Sequence, residues 1–321
     1  MSECVLADQS GSHSKYDLGV IGHLTLDYIS RGGKHYAPQM GSPCVYASLG
    51  ARALNASVVV ESKVGRDFGR ERLLWLGSRG VAIDHVRECN SRTTAFKIKY
   101  VDGNRFMWAA SKCASLTRRD LSDLPACSAL HMGPILNEIP LSLAISLTKR
   151  NAVTSLDPQG YLRHILRDGR VQRSKWSNRA LLKHLDVLKV SDDEASGLIG
   201  TETPLRLRSL GPEIVLITKG RAGTTVWSKH HGVYAVPAYK TRVRDPTGAG
   251  DALVGGFLVT WSKTGDLAWS AAIGSAVASF VVEKVGPAYF GTRKEVEKRA
   301  KTIFNGITKL HGRVSTTTTS C

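Results

Sequence analysis

The sequence has no cysteine pair at CxxC spacing, no GxxxxGK[ST] string and no long apolar run, and each absence narrows what the chain does. Its six cysteines, Cys4, Cys44, Cys89, Cys113, Cys127 and Cys321, are scattered and lack neighbouring ligand histidines. That argues against a zinc site or a disulfide framework and suits a reducing compartment. Without a GxxxxGK[ST] string, a Walker-type phosphotransferase is excluded. The longest run of small and apolar residues, Ala271 to Val282, is dotted with Gly and Ser and shorter than a membrane span needs, so no transmembrane helix is expected. The opening MSECVLADQSGSHSKYD lacks a charged start followed by an apolar core, so the chain reads as cytoplasmic. The net charge of +17 invites a nucleic-acid partner, but no helix-turn-helix, zinc-finger or RNA-binding signature accompanies it. Lys and Arg are spread along the chain, denser at Arg163 to Arg179 and Lys294 to Lys309, which reads as a general basic surface that attracts polyanions.

What is present is an alternation of apolar strand-like runs with helical ones. DLGVIGHL is a short buried strand, Pro43 to Leu54 a small-residue helix, and ASVVVESKVGRDFGRERLLWLGSRGVAIDHV a strand, loop, helix and strand. SRTTAFKIKYVDGNRFMWAA alternates apolar and polar residues around Asp102-Gly103, a hairpin signature. From Asp123 onward strands alternate with helices, including a helix from Pro140 to Arg150, which indicates a parallel sheet with crossover helices. The first 15 residues and the Thr-rich end from 311 to 321 carry no packing pattern and read as flexible tails.

The most informative stretch is Asp245 to Asp251, DPTGAGD, running into the apolar ALVGGFLV. Backbone N–H groups at a helix start lack intrahelical partners and carry partial positive charge, so a Gly-rich turn there suits an anion. Asp251 at its mouth is placed to take a proton from a hydroxyl. A Gly-rich turn ahead of a helix is most often only a turn, and shape alone does not decide. Asp27, just past a buried strand, either caps a turn or contacts a ligand at the carboxyl end of a sheet strand.

The full string resembles the C-terminal signature of the ribokinase or PfkB family of ATP-dependent sugar, polyol and nucleoside kinases, whose usual form is DTTGAGD. Several other stretches follow that family's order across roughly residues 16 to 305. Val64, Gly65, Asp67 and Gly69 match VGxDxxG, and TKGRAG, with Thr218, Gly220 and Gly223, matches the TxGxxG turn beside the nucleotide. Ser191-Asp192-Asp193-Glu194 stands at NxxE, with Ser for Asn, and DPQGYLR at DPNxR, with Gln159 for Asn. Met40 and Gly41 occupy the family's glycine pair and Val45 its Asn position, which removes a polar substrate contact and makes a ribose kinase a poorer fit.

The resemblance implies a ribokinase-like three-layer α/β/α fold over 16–310, with a mostly parallel sheet and a small β-lid from segments near 28–40 and 92–110. It implies ATP and Mg2+, with K+ as a further option. Asp251 would be the general base, with Gly248, Ala249 and Gly250 as an anion hole. Asp27, Gly41, Asp157 and Arg163 would bind the acceptor, and Ser191, Thr218, Gly220, Gly223, Ser275 and Gly286 the nucleotide. Glu194 would organise magnesium-bound water, and Asp245 would help hold a monovalent cation. The D-x-QG-x-x-R string is most like archaeal inositol kinases, which together with Val45 tilts the acceptor toward myo-inositol or an unphosphorylated sugar. A nucleoside kinase on the same fold is the nearest alternative and a basic nucleic-acid-binding protein a remote one. Because the lid mediates dimers in several members, a homodimer is the corresponding option.

Overall fold

The computed structural model describes residues 15–101, 104–199 and 210–310. The chain opens with β1 (Tyr16–Ile21), β2 (Thr25–Arg31), β3 (Lys34–His35), β4 (Gln39–Gly41), α1 (Pro43–Arg52), β5 (Val58–Gly65) and α2 (Arg70–Gly77). Next come β6 (Val81–Ala82), β7 (Val86–Cys89), β8 (Ala95–Val101), β9 (Asn104–Ser111), β10 (Cys127–Met132), α3 (Leu141–Leu147) and β11 (Val153–Leu156). A short β12 (Arg163–Ile165) and β13 (Val171–Arg173) precede α4 (Arg179–Leu182), β14 (Val187–Ser191) and α5 (Asp192–Ile199). The last third contains β15 (Ile214–Thr218), β16 (Thr224–Ser228), β17 (Gly232–Val236), α6 (Ala249–Thr264), α7 (Leu267–Val281), α8 (Arg293–Phe304) and β18 (Thr308–Leu310).

The main sheet has the order β18-β17-β16-β15-β14-β11-β10-β1-β5-β6, with β7 also paired to β5. Pairing is parallel from β15 through β14, β11, β10 and β1 to β5 and its neighbours, and antiparallel only toward the β16, β17 and β18 edge. Two-residue periodicity sorts the strands' side chains between two cores. Ile214 and Leu216 pack with α1, α6, α7 and α8, while Val215 and Ile217 pack with α3, α4 and α5. Helices cover both faces, as a buried parallel sheet requires.

The small-residue helices α1 and α6 approach closely: a Cβ on Gly255 would overlap the carbonyl of Ala47. That contact fixes the axis of α6, and with it the direction of its N-terminus. The glycines and acid of VGRDFG are structural: Asp67 Oδ1 accepts from the Thr93 N–H and hydroxyl, each at 2.8 Å, tying the loop to the segment entering β8.

A second sheet, β3-β2-β8-β9 with β4 on β2, forms the lid. It begins at Thr25, so Asp27 lies inside the first lid strand, earlier than the expected boundary near 28. β8 and β9 pair antiparallel as the alternation implied; Asp102 and Gly103 of the expected turn lie outside the described residues, as do 1–14 and 311–321. The basic stretch from Arg163, read as surface, is largely exposed, and within it the short antiparallel pair β12 and β13 is joined to the lid by a bridge between Trp108 and Arg170. Among the described residues no helix is long and apolar enough to cross a membrane.

Candidate active site

The loop before α6 is tied down by its first acid. Asp245 is buried, and its Oδ1 accepts from the Thr247 N–H at 3.1 Å and the Thr247 hydroxyl at 2.7 Å, while Oδ2 accepts from the Gly286 N–H at 3.4 Å. Gly248 then caps α6 with φ +74°, a left-handed conformation that a side chain would strain, and a Cβ there would overlap the ring of Tyr46. The helix starts at Ala249, so Asp251 stands in its first turn. Ala249 N–H makes a long 3.3 Å bond to the Pro246 carbonyl; the Gly250 N–H, in the first turn, has no acceptor within the helix.

Around Asp251 the charges are enclosed. Lys189, on β14, places its Nζ 2.6 Å from Asp157 Oδ2 and 4.0 Å from Asp251 Oδ1. Burial pushes the Asp251 carboxyl up to about 7; Lys189 opposes this, and the nearby Asp157 and Glu194 carboxylates add to it. A general base is most useful when its pKa lies near the working pH. Glu194 reaches back to the start of its own helix. Its Oε2 accepts from the Ser191 N–H at 2.8 Å, and Ser191 Oγ accepts from the Glu194 N–H at 3.3 Å, a reciprocal cap.

Two cavities meet at this point. One, of about 890 Å3, is walled by Thr218, Gly223, Ala238, Leu253, Ser275 and Ala278 among others. The other, of about 1180 Å3 under the lid, is walled by Asp27, Ser42, Arg105, Arg163, Lys189 and Asp251 among others. Ser191, Asp193, Thr218, Pro246 and Gly250 belong to both. Asp251 therefore faces one cavity from the seam with the other.

The residues expected from the sequence fall unevenly on these walls. Asp27 lines the lid cavity, where burial raises its carboxyl to about 6 against the pull of Arg105 and Arg163. Gly41 leaves room for it, since a Cβ there would overlap the Asp27 carboxylate. Arg163 lines the same cavity, donating from Nη2 to Gln159 Oε1 at 2.6 Å and from Nη1 to the Ile135 carbonyl at 3.3 Å. Asp157 lines neither cavity: it is fully enclosed behind Lys189, and its Oδ1 accepts from the Gln159 N–H at 3.1 Å. Ser191, Thr218, Gly220, Gly223 and Ser275 all line the smaller cavity, and Ser275 Oγ is buried without a hydrogen-bond partner among the described residues. Gly286 lines neither; it holds Asp245.

Three wall residues were not singled out by sequence reasoning. Lys189 is a lysine inside the apolar run VLKV, a placement that a buried strand permits only with a charged partner. Ser42 has φ +93°, a strained value for a residue with a side chain, and its hydroxyl is buried beside the Cys44 thiol. Arg105 follows the lid turn, and nothing in an alternating strand marks which face turns inward over a cavity built elsewhere.

Comparison with known proteins adds the lineage. Residues 42–293 match the model of the pfkB family carbohydrate kinases. A nucleoside kinase of Methanothermobacter thermautotrophicus is 28% identical over 293 residues, covering 84% of this chain and 90% of that protein. An inositol 3-kinase of Oryza sativa subsp. japonica is 25% identical over 322 residues, covering 90% and 76%. The sulfate-complex structure of a pyrophosphate-dependent kinase in the ribokinase family superposes with a TM-score of 0.76 at 26% identity, covering 87% of this chain and 99% of that one.

Proposed function

The chain belongs to the PfkB family of carbohydrate kinases, and from that premise we propose that it transfers the γ-phosphate of ATP to a hydroxyl of a small polyhydroxylated acceptor. The observation that carries this reading is the position of Asp251, enclosed at the seam of two cavities and one turn into the helix whose N-terminus opens there. The acceptor occupies the lid cavity with its hydroxyl at Asp251. As the proton passes to the carboxylate, the hydroxyl oxygen bonds to the γ-phosphorus and the bond to the ADP oxygen breaks, charge on the transferring group being stabilised by the Gly248, Ala249 and Gly250 N–H groups. Ala249 shares its N–H with the Pro246 carbonyl in the free state, so it contributes as that long bond yields.

Support for a nucleotide donor comes from the smaller cavity, whose apolar walls and unpartnered Ser275 hydroxyl suit an adenosine. Glu194, close to the seam with one carboxylate oxygen held by the Ser191 N–H, suits the outer shell of Mg2+, which when bound would offset phosphate charge. Asp245 already accepts from three loop donors, so K+ enters only through the loop it shapes. The four described cysteines are free, which suits the cytoplasm, and exposed Tyr28 and Tyr36 on the lid suit a lid-to-lid homodimer.

For the acceptor, myo-inositol or an unphosphorylated sugar is the leading reading, supported by DPQGYLR and by the rice inositol 3-kinase. A nucleoside is the second reading, favoured by Phe96, Tyr100 and Phe106 on the lid cavity, which offer faces for a base, and by the archaeal nucleoside kinase. The test is an acceptor screen over inositol, hexoses, pentoses, ketodeoxygluconate and nucleosides, with ATP or pyrophosphate as donor and Mg2+ throughout. Product formation from none of these acceptors, or equal rates for wild type and Asp251→Asn, would refute the reading.

A further inference from the structure

Away from both cavities, three ligand-type side chains converge where β5, the residue before β7 and the turn ahead of β10 meet: Glu61, His85 and Asp123. Glu61 is only 1% exposed, and neither its Oε1 nor His85 Nδ1 has a hydrogen-bond partner among the described residues. Yet the two atoms are 2.7 Å apart. Their closeness without alignment means that the imidazole axis passes beside the carboxylate oxygen. By distance the two groups are an ion pair, but they do not form an aligned hydrogen bond. Two ligands of one cation are likewise held off each other's axis, each lone pair directed at the shared centre; donors about 2.1 Å from a tetrahedral ion stand about 3.4 Å apart, so this pair opens by several tenths of an ångström on binding.

The third donor fits the same centre. Asp123 Oδ2 is 3.9 Å from His85 Nδ1, and all three donor atoms lie within 4.8 Å of one another. The other Asp123 oxygen accepts from Arg87 Nη2 at 2.6 Å, which fixes the carboxylate's orientation as an outer partner of a metal ligand does. Arg87 and Arg150 bring positive charge nearby, and Asp120, paired with Lys63, adds a further carboxylate, so a divalent cation would enter a mixed field rather than a purely acidic one. None of the three residues lines either cavity.

We propose that Glu61, His85 and Asp123 form a second site, separate from phosphoryl transfer, for a divalent transition-metal cation of the manganese or zinc class. One imidazole and two carboxylates favour such an ion over a thiolate-seeking one, and water completes its coordination. The scattered cysteines had argued against zinc, and this site uses none of them. Bound there, the cation clips the β5 strand to the entry of β7 and to the turn before β10.

The test uses the full chain, stripped with chelator and dialysed, and free of nucleotide. Mn2+ binding is followed by electron paramagnetic resonance and Zn2+ binding by calorimetry, each with a thermal melt. The expected result is one cation per chain beyond that bound by His85→Ala, with a higher melting temperature on saturation. Affinity should fall more than about tenfold in His85→Ala and in Asp123→Asn. Asp123 is 59% exposed, so its variant tests the site without endangering the fold. Asp251→Asn should bind the cation as wild type does. Equal stoichiometry and affinity in wild type, His85→Ala and Asp123→Asn would overturn the proposal and leave a histidine–glutamate ion pair. Because binding is read without turnover, this outcome is independent of whether the chain is a kinase.

Discussion

Lys189 holds its ammonium 2.6 Å from Asp157 and 4.0 Å from Asp251, so one cation faces both a fully enclosed carboxylate and the proposed proton acceptor. Burial opposes that charge, but Asp157, Glu194 and Asp251 together outweigh it and keep the amine protonated well above its ordinary range. Lys189→Met leaves Asp157 buried and unpaired, a loss of about 3–5 kcal/mol of stability on urea titration. Asp157→Asn in the same chain should recover most of that loss. Since Lys189 is what holds the Asp251 pKa down, its removal should also move the acid limb of activity to higher pH.

Proton acceptance by Asp251 sets a pH signature. The carboxylate must be ionised to act, so kcat/KM should fall as pH drops through about 7. Asp251→Asn should lower kcat by roughly 10^2–10^4-fold, leave donor affinity within a few fold, and lack this limb.

The same carboxyl bears on stability with the opposite preference. Its folded value of about 7 lies above the ordinary 3.8, so the folded chain favours the protonated form. The stabilisation is full below the ordinary value and is lost as pH rises through the folded one. Asp251→Asn, neutral throughout, should therefore melt at a higher temperature than wild type at pH 8, and the gap should close toward pH 4. Thermal melts across that range check it.

Gly248→Ala should lose about 1–3 kcal/mol, since φ +74° and the Tyr46 ring both reject a methyl group. Because the change also moves the start of α6, kcat should drop with it. Chemical denaturation and single-turnover rates measure the two effects separately.

Ser42→Gly should act in opposite directions on fold and function. Relief of the strained backbone at φ +93° should raise stability by about 1 kcal/mol. Because Ser42 also lines the lid cavity, the change should raise the acceptor KM more than it lowers kcat.

Much of this architecture was legible in the residues. Apolar patterning placed the helices closely: α1 was expected at Pro43 to Leu54 and lies at Pro43–Arg52. Asp245 to Asp251 was readable because backbone shape, not pocket shape, dictates glycine there. The β12–β13 pair was not, since three-residue strands are too short to show a period, and Arg163, Arg170 and Arg173 look like any basic surface until the fold sets them on the wall of the lid cavity. Asp157 was expected on the substrate wall; a carboxylate at a strand end does not disclose that a lysine from the neighbouring strand stands in front of it. Ser42 was hidden because strain is a property of coordinates.

The seam between the cavities has a consequence for how such a chain changes. Five residues, Ser191, Asp193, Thr218, Pro246 and Gly250, are common to both walls, and none of them belongs to the lid or to the β12–β13 pair. On the proposed mechanism, substitutions at Arg105 or Phe106 should exchange one acceptor for another while donor binding and proton transfer persist, whereas Arg163, whose charge also acts on Asp251, should not be exchangeable without a shift in the pH profile. The lid wall and the donor wall would then vary separately, with one glycine turn as their boundary.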